Sequence, residues 1–139
     1  IAGNAAAVDA ATEKLTALKA KVMPLKVESA FHSEIMKPAS IEFYDKIKNV
    51  SFKKPTVKFF SNLKGAELTD FSDIPSLLAA HTVSPVRFTD ELQTIKSQGF
   101  DKYIELGPGK TLTGLVKKTL TDVTAFNIDS VQALENAEF

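Results

Sequence analysis

The segment from 101 to 128 constrains the fold of this chain more than any other part of the sequence. The sequence DKYIEL over 101–106 predicts a strand that enters a tight Gly-Pro-Gly turn at 107–109. A helical pattern over 110–120 and a second strand-like run over 122–128 follow. A strand, a crossover helix and another strand predict a parallel pair. We therefore expect an α/β fold with a largely parallel sheet.

The rest of the sequence predicts further helices and strands around this segment. Two helices are predicted in the first half of the chain, at 5–20 with Asn4 as N-cap and at 37–48 with Pro38 in the first turn. Two more are predicted at 72–81, with Ser72 as N-cap and Pro75 in the first turn, and at 88–98, with Thr89 as N-cap and Gly99 as the stop. A last helix begins at the cap Ser130. Strands are predicted over 22–31, where Pro24 indicates a sheet edge, and over 56–62.

Composition narrows the class of protein. The chain has 139 residues, of which 44% are hydrophobic, so it suits one domain with a buried core. Seventeen basic and seventeen acidic residues cancel, which argues against nucleic acid or a membrane surface as the main partner. The absence of cysteine excludes disulfides, thiolate zinc sites and a cysteine nucleophile, and it is compatible with a cytoplasmic location. No apolar run approaches the roughly 20 residues that span a bilayer.

His32 is the main candidate for a catalytic group. It lies in the stretch VESAFHSEIMKP, at the end of a predicted strand, where α/β proteins often carry functional residues. A histidine base needs a nucleophile within about 3 Å. None of the ten serines lies in a G-x-S-x-G turn, and Ser33 should point away from its neighbour. The residues alone leave two alternatives, a structural histidine or a base without its partner.

Three further features have a structural and a functional interpretation. His81 is either a cation at a helix C-terminus or one of two histidines that lack the spacing of a zinc site, so no metal is predicted. The GPGK sequence at 107–110 favours a turn over phosphate binding, because the P-loop spacing is missing. Seven lysines between 37 and 64 form a solvated face or a docking surface for an acidic partner.

Four stretches of the chain resemble a known family in order and spacing. They are PLKVESAFHSEIMKPA, AAHTVSPVRFTDEL, GFDKYIELGPGKTLTGLVKK and NIDSVQALENA. Together they resemble the second half of the malonyl-CoA:acyl carrier protein transacylases of fatty acid synthesis. The resemblance implies a fragment of an α/β-hydrolase-like large subdomain at 32–139, and part of a ferredoxin-like small subdomain at 1–31.

The resemblance also implies an activity and its residues. The family moves a malonyl group from malonyl-CoA to the phosphopantetheine thiol of acyl carrier protein by a ping-pong Ser–His mechanism, without a metal or other cofactor. His32 would be the base, and the backbone carbonyl of His81 would orient it. Phe31 would influence the choice between malonyl and methylmalonyl groups. Lys53, Lys54 and Lys58 are candidates for a carrier-protein surface.

One departure from the family decides what the isolated chain can do. The serine elbow, the malonyl-binding arginine and an oxyanion-region glutamine belong to the family's first half, and this sequence has no match for them. We therefore expect the isolated chain to be inactive and to need the missing half as a partner. Two alternatives are a piece of a polyketide synthase acyltransferase domain and a non-catalytic carrier-binding module.

Overall fold

The computed structural model describes residues 1–25 and 27–137, which form two compact units. The first unit comprises Ile1–Thr56 and Thr69–Val86, and the second comprises Val57–Leu68 and Arg87–Phe139. None of the described helices is long and apolar enough to cross a membrane. The predicted division into 1–31 and 32–139 refers to the subdomains of the family that the sequence resembles, and it stays a prediction.

The first unit is helical. It contains α1 (Ala5–Ala17), α2 (Lys37–Ile47) and α3 (Ile74–Val83), with a 3₁₀ turn at Glu34–Met36 before α2. The Asn4 side chain accepts the N–H of Ala7 at 2.8 Å, which confirms the predicted cap of α1. Helices α2 and α3 pack against each other, whereas α1 contacts no other described element. The buried Ser40 hydroxyl of α2 donates to the Ala79 carbonyl of α3 at 2.7 Å.

The second unit contains the predicted parallel pair. Its elements are β1 (Phe60–Ser61), β2 (Ala66–Glu67), α4 (Phe88–Ser97), β3 (Lys102–Leu106), α5 (Thr111–Thr119), β4 (Thr124–Ile128) and α6 (Val131–Glu135). Strands β3 and β4 are parallel, with Ile104 opposite Phe126, while β1 and β2 form an antiparallel pair. The core of this unit consists of Leu92, Val116, Leu120 and Ala125. The α/β prediction is therefore confirmed.

Two of the predicted helix caps are wrong. Asp73, not Ser72, caps α3, because its carboxylate accepts the N–H of Ser76 at 3.0 Å and a negative charge is favoured at a helix N-terminus. Thr89 lies inside α4, since the Arg87 carbonyl already accepts the Glu91 N–H at 3.0 Å. The stop at 99, where the glycine has a φ of 90°, and the cap of α6 at 130 are confirmed.

The predicted strand over 22–31 is wrong for the residues that the structure describes there. Lys26 lies outside the described residues, and the others form no strand. Pro24 has no N–H to donate, and no described strand pairs with this stretch. The stretch therefore lacks the inter-strand hydrogen bonds that define a strand. The strand predicted over 56–62 is reduced to Phe60–Ser61, because its partner β2 has only two residues.

Candidate active site

His32 occupies a strained backbone position against the end of α3. Its φ is 63°, in the left-handed region that residues with a Cβ rarely adopt. The His32 N–H donates to the Thr82 carbonyl at 3.0 Å, which fixes the backbone at this point. Strain of this kind persists where the surrounding structure holds it, and it concentrates at functional sites.

The imidazole of His32 is oriented by two backbone carbonyls. Nδ1 lies 3.0 Å from the His81 oxygen and 3.1 Å from the Ser84 oxygen. A carbonyl oxygen only accepts hydrogen bonds, so this geometry requires the proton on Nδ1. Nε2 of the neutral ring is then unprotonated, and no described residue hydrogen-bonds to it. An exposed, correctly oriented Nε2 is what a general base needs.

The end of α3 also suits the charge that such a base acquires. The last carbonyls of a helix lack intrahelical partners and carry partial negative charge. Those of His81, Thr82 and Ser84 all turn toward His32. An imidazolium formed by proton transfer would therefore meet acceptors and no neighbouring carboxylate among its hydrogen-bond partners.

The side chain of His81 packs beside His32. The two ring centroids are 5.2 Å apart with a tilt of 44°. Burial, and next the charge of His32, hold the pKa of His81 below its usual value of 6.5. Its Nε2 is buried and has no hydrogen-bond partner within the described ranges. These surroundings disfavour the charged form of the His81 ring, which argues against the interpretation of its side chain as a helix-terminal cation.

The described serines offer His32 no nucleophile. The Ser33 hydroxyl donates to the Ala30 carbonyl at 2.6 Å, so it is engaged elsewhere. Ser84 contributes its backbone oxygen to the site. Phe31 is adjacent in sequence, and this residue is 52% exposed. Its effect on acyl selectivity stays a prediction.

The three candidate lysines differ in their surroundings. Lys53 and Lys54 belong to the first unit, are exposed and form no ion pair with another described residue. Lys58 belongs to the second unit, where its ammonium lies 3.2 Å from a Glu67 carboxylate oxygen and also donates to Gln98. Since Lys58 is already paired, Lys53 and Lys54 are the stronger candidates for a surface that attracts acidic partners.

The GPGK sequence forms a turn whose following helix already holds an anion. The Glu105 carboxylate accepts the N–H of Leu112 at 3.1 Å and of Thr113 at 2.8 Å, and the Thr113 hydroxyl at 2.7 Å. The Thr113 N–H, and next its hydroxyl, hold the pKa of Glu105 below the usual range. Because this carboxylate occupies the N-terminus of α5, the geometry favours the turn interpretation over phosphate binding.

Metal binding has no visible basis in the described part of the chain. No group of three or more histidine, cysteine, aspartate or glutamate side chains is arranged there to hold an ion. The two histidines are neighbours, but Nδ1 of His32 donates to backbone carbonyls and is therefore not available to a metal.

Several groups that build these features were not predicted from the residues. The Thr82 and Ser84 carbonyls were not predicted, although the Ser-Pro sequence at 84–85 signals that the helix must end there. The role of Glu105 was also missed. Its position two residues before the Gly-Pro-Gly turn, on a strand that leads into a helix, was the available signal.

Comparison with known proteins gives consistent matches over nearly the whole chain, although no family model matches. The malonyl CoA-acyl carrier protein transacylase of Bacillus subtilis is 34% identical over 138 residues, which are 99% of this chain and 44% of that protein. The crystal structure of MCAT from Streptococcus pneumoniae superimposes with a TM-score of 0.88 at 34% identity, covering 96% of this chain and 44% of that one.

Two further solved structures extend the comparison to polyketide synthesis. One is a malonyl-transacylase in complex with a type II polyketide synthase acyl-carrier protein, with a TM-score of 0.89, 28% identity and coverage of 96% and 43% of the two chains. The other is the acyltransferase domain of the second salinomycin polyketide synthase module, with a TM-score of 0.82, 31% identity and coverage of 91% and 30%. The predicted resemblance is confirmed, and the chain spans about 44% of the length of the curated relatives it matches.

Proposed function

We propose that this chain, a homologue of the malonyl CoA-acyl carrier protein transacylases, supplies the histidine base of a malonyl transferase. The observation that carries the proposal is the orientation of His32, with Nδ1 on the His81 and Ser84 carbonyls and Nε2 without a hydrogen bond to any described residue. The nucleophilic serine and the group that binds the malonyl carboxylate would come from sequence outside these 139 residues.

The proposed reaction has two halves that use the same ring nitrogen. Nε2 of His32 takes the serine proton as the oxygen attacks the thioester carbonyl of malonyl-CoA. The tetrahedral intermediate collapses, the C–S bond breaks, and the proton passes from His32 to the departing CoA sulfur. The phosphopantetheine thiol of acyl carrier protein then gives its proton to His32, attacks the serine ester and leaves with the malonyl group. The serine oxygen recovers its proton, so no metal or additional cofactor enters the balance.

Carbonyl oxygens in place of a carboxylate suit this reaction. In serine proteases an aspartate orients the histidine and stabilises the imidazolium for departure of an amine. A thiolate is a better leaving group than an amine, so weaker stabilisation of the imidazolium suffices. The end of α3 supplies it through partial charges.

The direct test of the base uses a chimera in which this chain replaces the matching 44% of the Bacillus subtilis relative. We expect the chimera to transfer malonyl groups and the isolated chain to show no turnover. His32→Ala in the chimera should lower kcat by at least about 10³-fold, since the serine loses its base. The control His81→Gln keeps the backbone carbonyl and should retain most activity. Near-normal turnover in the His32 variant would remove this residue from the mechanism.

The proposed selectivity residue is tested in the same chimera. The ring of Phe31 is exposed beside the base, where its bulk could crowd the α-methyl group of methylmalonyl-CoA. We expect Phe31→Ser to raise the ratio of methylmalonyl to malonyl transfer. An unchanged ratio would assign selectivity to other residues.

A second candidate function is a non-catalytic module that binds carrier protein, favoured by Lys53 and Lys54, which are exposed and form no ion pair within the described residues. Carrier binding by the isolated chain should weaken in the double variant Lys53→Glu/Lys54→Glu and lose part of its salt dependence. Lys58→Glu is the matched control, because Glu67 already neutralises that lysine. Equal affinities would identify these lysines as a solvated face.

A polyketide synthase origin is the remaining alternative, supported by the similarity to the salinomycin acyltransferase domain. The carrier protein that accepts the malonyl group from the chimera distinguishes the two origins. Transfer to a fatty-acid-synthesis carrier protein supports the discrete transacylase, whereas transfer only to a polyketide synthase carrier domain supports the alternative.

A further inference from the structure

The two carbonyls that hold His32 lie at the point where α3 meets a proline. In a continuing α-helix, the His81 carbonyl would accept the N–H of the residue four positions later. That residue is Pro85, which has no N–H. The Ser84 N–H reaches the His81 oxygen only at 3.4 Å, so a lone pair of this oxygen remains for the Nδ1–H of His32 at 3.0 Å.

The proline acts on Ser84 as well. A residue before proline is disfavoured in the helical region because the proline Cδ clashes with it. Ser84 has φ −112° and ψ 151°, so the chain leaves the helix in an extended conformation. This rotation directs the Ser84 carbonyl to within 3.1 Å of the same His32 nitrogen.

We propose that Pro85 is a positioning residue for His32, because its missing N–H leaves the His81 carbonyl available and its ring keeps Ser84 extended. Its importance for catalysis rests on the proposed function, whereas its effect on the ring concerns this chain alone. Pro85 is exposed, so its own packing contributes little to the core. An alanine at this position removes both constraints and supplies a competing donor to the His81 carbonyl.

The first experiment measures the ring directly in the 139-residue chain. Nitrogen-15 NMR of the imidazole should find the Nδ1–H tautomer of His32 in the unaltered chain. In Pro85→Ala the population of this tautomer should fall, and the new amide at position 85 should be protected from hydrogen exchange by the His81 carbonyl. An unchanged tautomer in a folded Pro85→Ala variant overturns the proposal.

Two further variants separate the missing N–H from other effects of proline. Pro75→Ala is the matched control in the same helix, because Pro75 lies in the first turn of α3 where an N–H is not used. It should leave the His32 tautomer unchanged. N-methylalanine at position 85, introduced by chemical ligation, opens the ring but keeps a carbon on the nitrogen, so it lacks the N–H and still disfavours a helical Ser84. It should retain the original tautomer, and loss of the tautomer in this variant overturns the proposal even if Pro85→Ala does not fold.

Kinetics in the chimera distinguishes this proposal from the proposed function. Pro85→Ala should lower kcat about tenfold or more with KM nearly unchanged, since small misplacements of a catalytic group are costly. A changed tautomer together with a lower kcat supports both proposals. A changed tautomer with unaltered kcat supports the positioning role and overturns the role of His32 as base.

Discussion

The C-terminus of α3 and the N-terminus of α5 show the same electrostatic rule with opposite signs. At the end of α3, carbonyls with remaining acceptor capacity receive the backbone N–H and the Nδ1–H of His32. At the start of α5, unpaired N–H groups receive the Glu105 carboxylate. Both helix ends are satisfied by a side chain rather than left open. Each contact lies within one compact unit.

The two helix ends differ in whether the side chain bound there keeps a polar atom available for chemistry. Both carboxylate oxygens of Glu105 accept hydrogen bonds from α5, so this side chain has a structural role. His32 uses one ring nitrogen and keeps the other free. A helix end therefore becomes a candidate catalytic element only when the group it binds has a second reactive atom. This distinction favours a structural role for the GPGK turn and a functional role for His32.

The largest expected effect tests the structural side of this comparison. Glu105→Ala removes three hydrogen bonds at the start of α5, so the melting temperature of the chain should fall by several degrees. Glu105→Gln retains an acceptor, so its melting temperature should fall less than that of Glu105→Ala. Thermal unfolding followed by circular dichroism measures both. Equal melting temperatures for all three chains would show that the carboxylate does not stabilise the turn.

The same carboxylate predicts a pH dependence. Because the folded-state pKa of Glu105 is below the usual 4.5, its contribution is complete above about pH 4.5 and is lost as the pH falls through the folded-state value. The difference in stability between the unaltered chain and Glu105→Gln should therefore shrink on acidification below pH 4.5. A difference that grows in acid would contradict the assignment.

A smaller effect is expected inside the first unit, where α2 packs on α3. Ser40 is 5% exposed, and its hydroxyl donates to the Ala79 carbonyl of α3. Ser40→Ala should lower the free energy of unfolding by about 1 kcal/mol, since it leaves a neutral buried acceptor with one donor fewer. Urea titration measures this, with Ser51→Ala as the exposed control. A larger loss of stability than that caused by Glu105→Ala would contradict this ranking.

The smallest effect concerns the start of α4, where helix charge and burial oppose each other. Glu91 lies in the first turn, where a negative charge is favoured, but it is only 9% exposed and its Oε2 has no partner among the described residues. Burial raises the pKa of Glu91, and we expect this cost to outweigh the favourable helix charge. Glu91→Gln should therefore raise the melting temperature slightly at pH 7.

The sign of this last effect depends on pH. For a carboxyl whose folded-state pKa is raised, the cost of ionisation is present above that pKa and disappears as the pH falls through it. The increase in melting temperature caused by Glu91→Gln should therefore disappear as the pH approaches 4.5, the usual pKa of glutamate. Asp90→Asn, at the exposed neighbouring position, is the control for charge alone. Destabilisation by Glu91→Gln at pH 7 would mean that the helix charge dominates.

Local sequence patterns predicted the helices and the parallel pair well, because periodicity and turn residues act within a few positions. The cap at Asn4 and the stop at Gly99 are of this kind. The predicted strand over 22–31 failed because a strand requires a partner, and an alternating pattern does not supply one. The cap at Asp73 was missed because two adjacent residues could both serve, and the side-chain geometry decided between them.

The candidate site depended on family resemblance more than on local patterns. From the residues alone, His32 was one of two histidines without a nucleophile. The resemblance singled it out and suggested the His81 carbonyl, while the Ser84 and Thr82 carbonyls were found only in the structure. The surroundings of the lysines likewise required the structure, which pairs Lys58 with Glu67.

The sequence by itself determined the local chemistry of both helix ends. A proline at 85 removes an N–H and restricts Ser84 wherever that segment lies, and Gly-Pro-Gly at 107–109 turns the chain before α5. Only the tertiary structure decided which groups meet these ends. His32 reaches the His81 carbonyl across 49 positions of sequence, through the packing of α2 on α3 and the turn before α2. Contacts over such separations depend on the whole packed unit, because no local preference specifies which distant segment fills an open helix end.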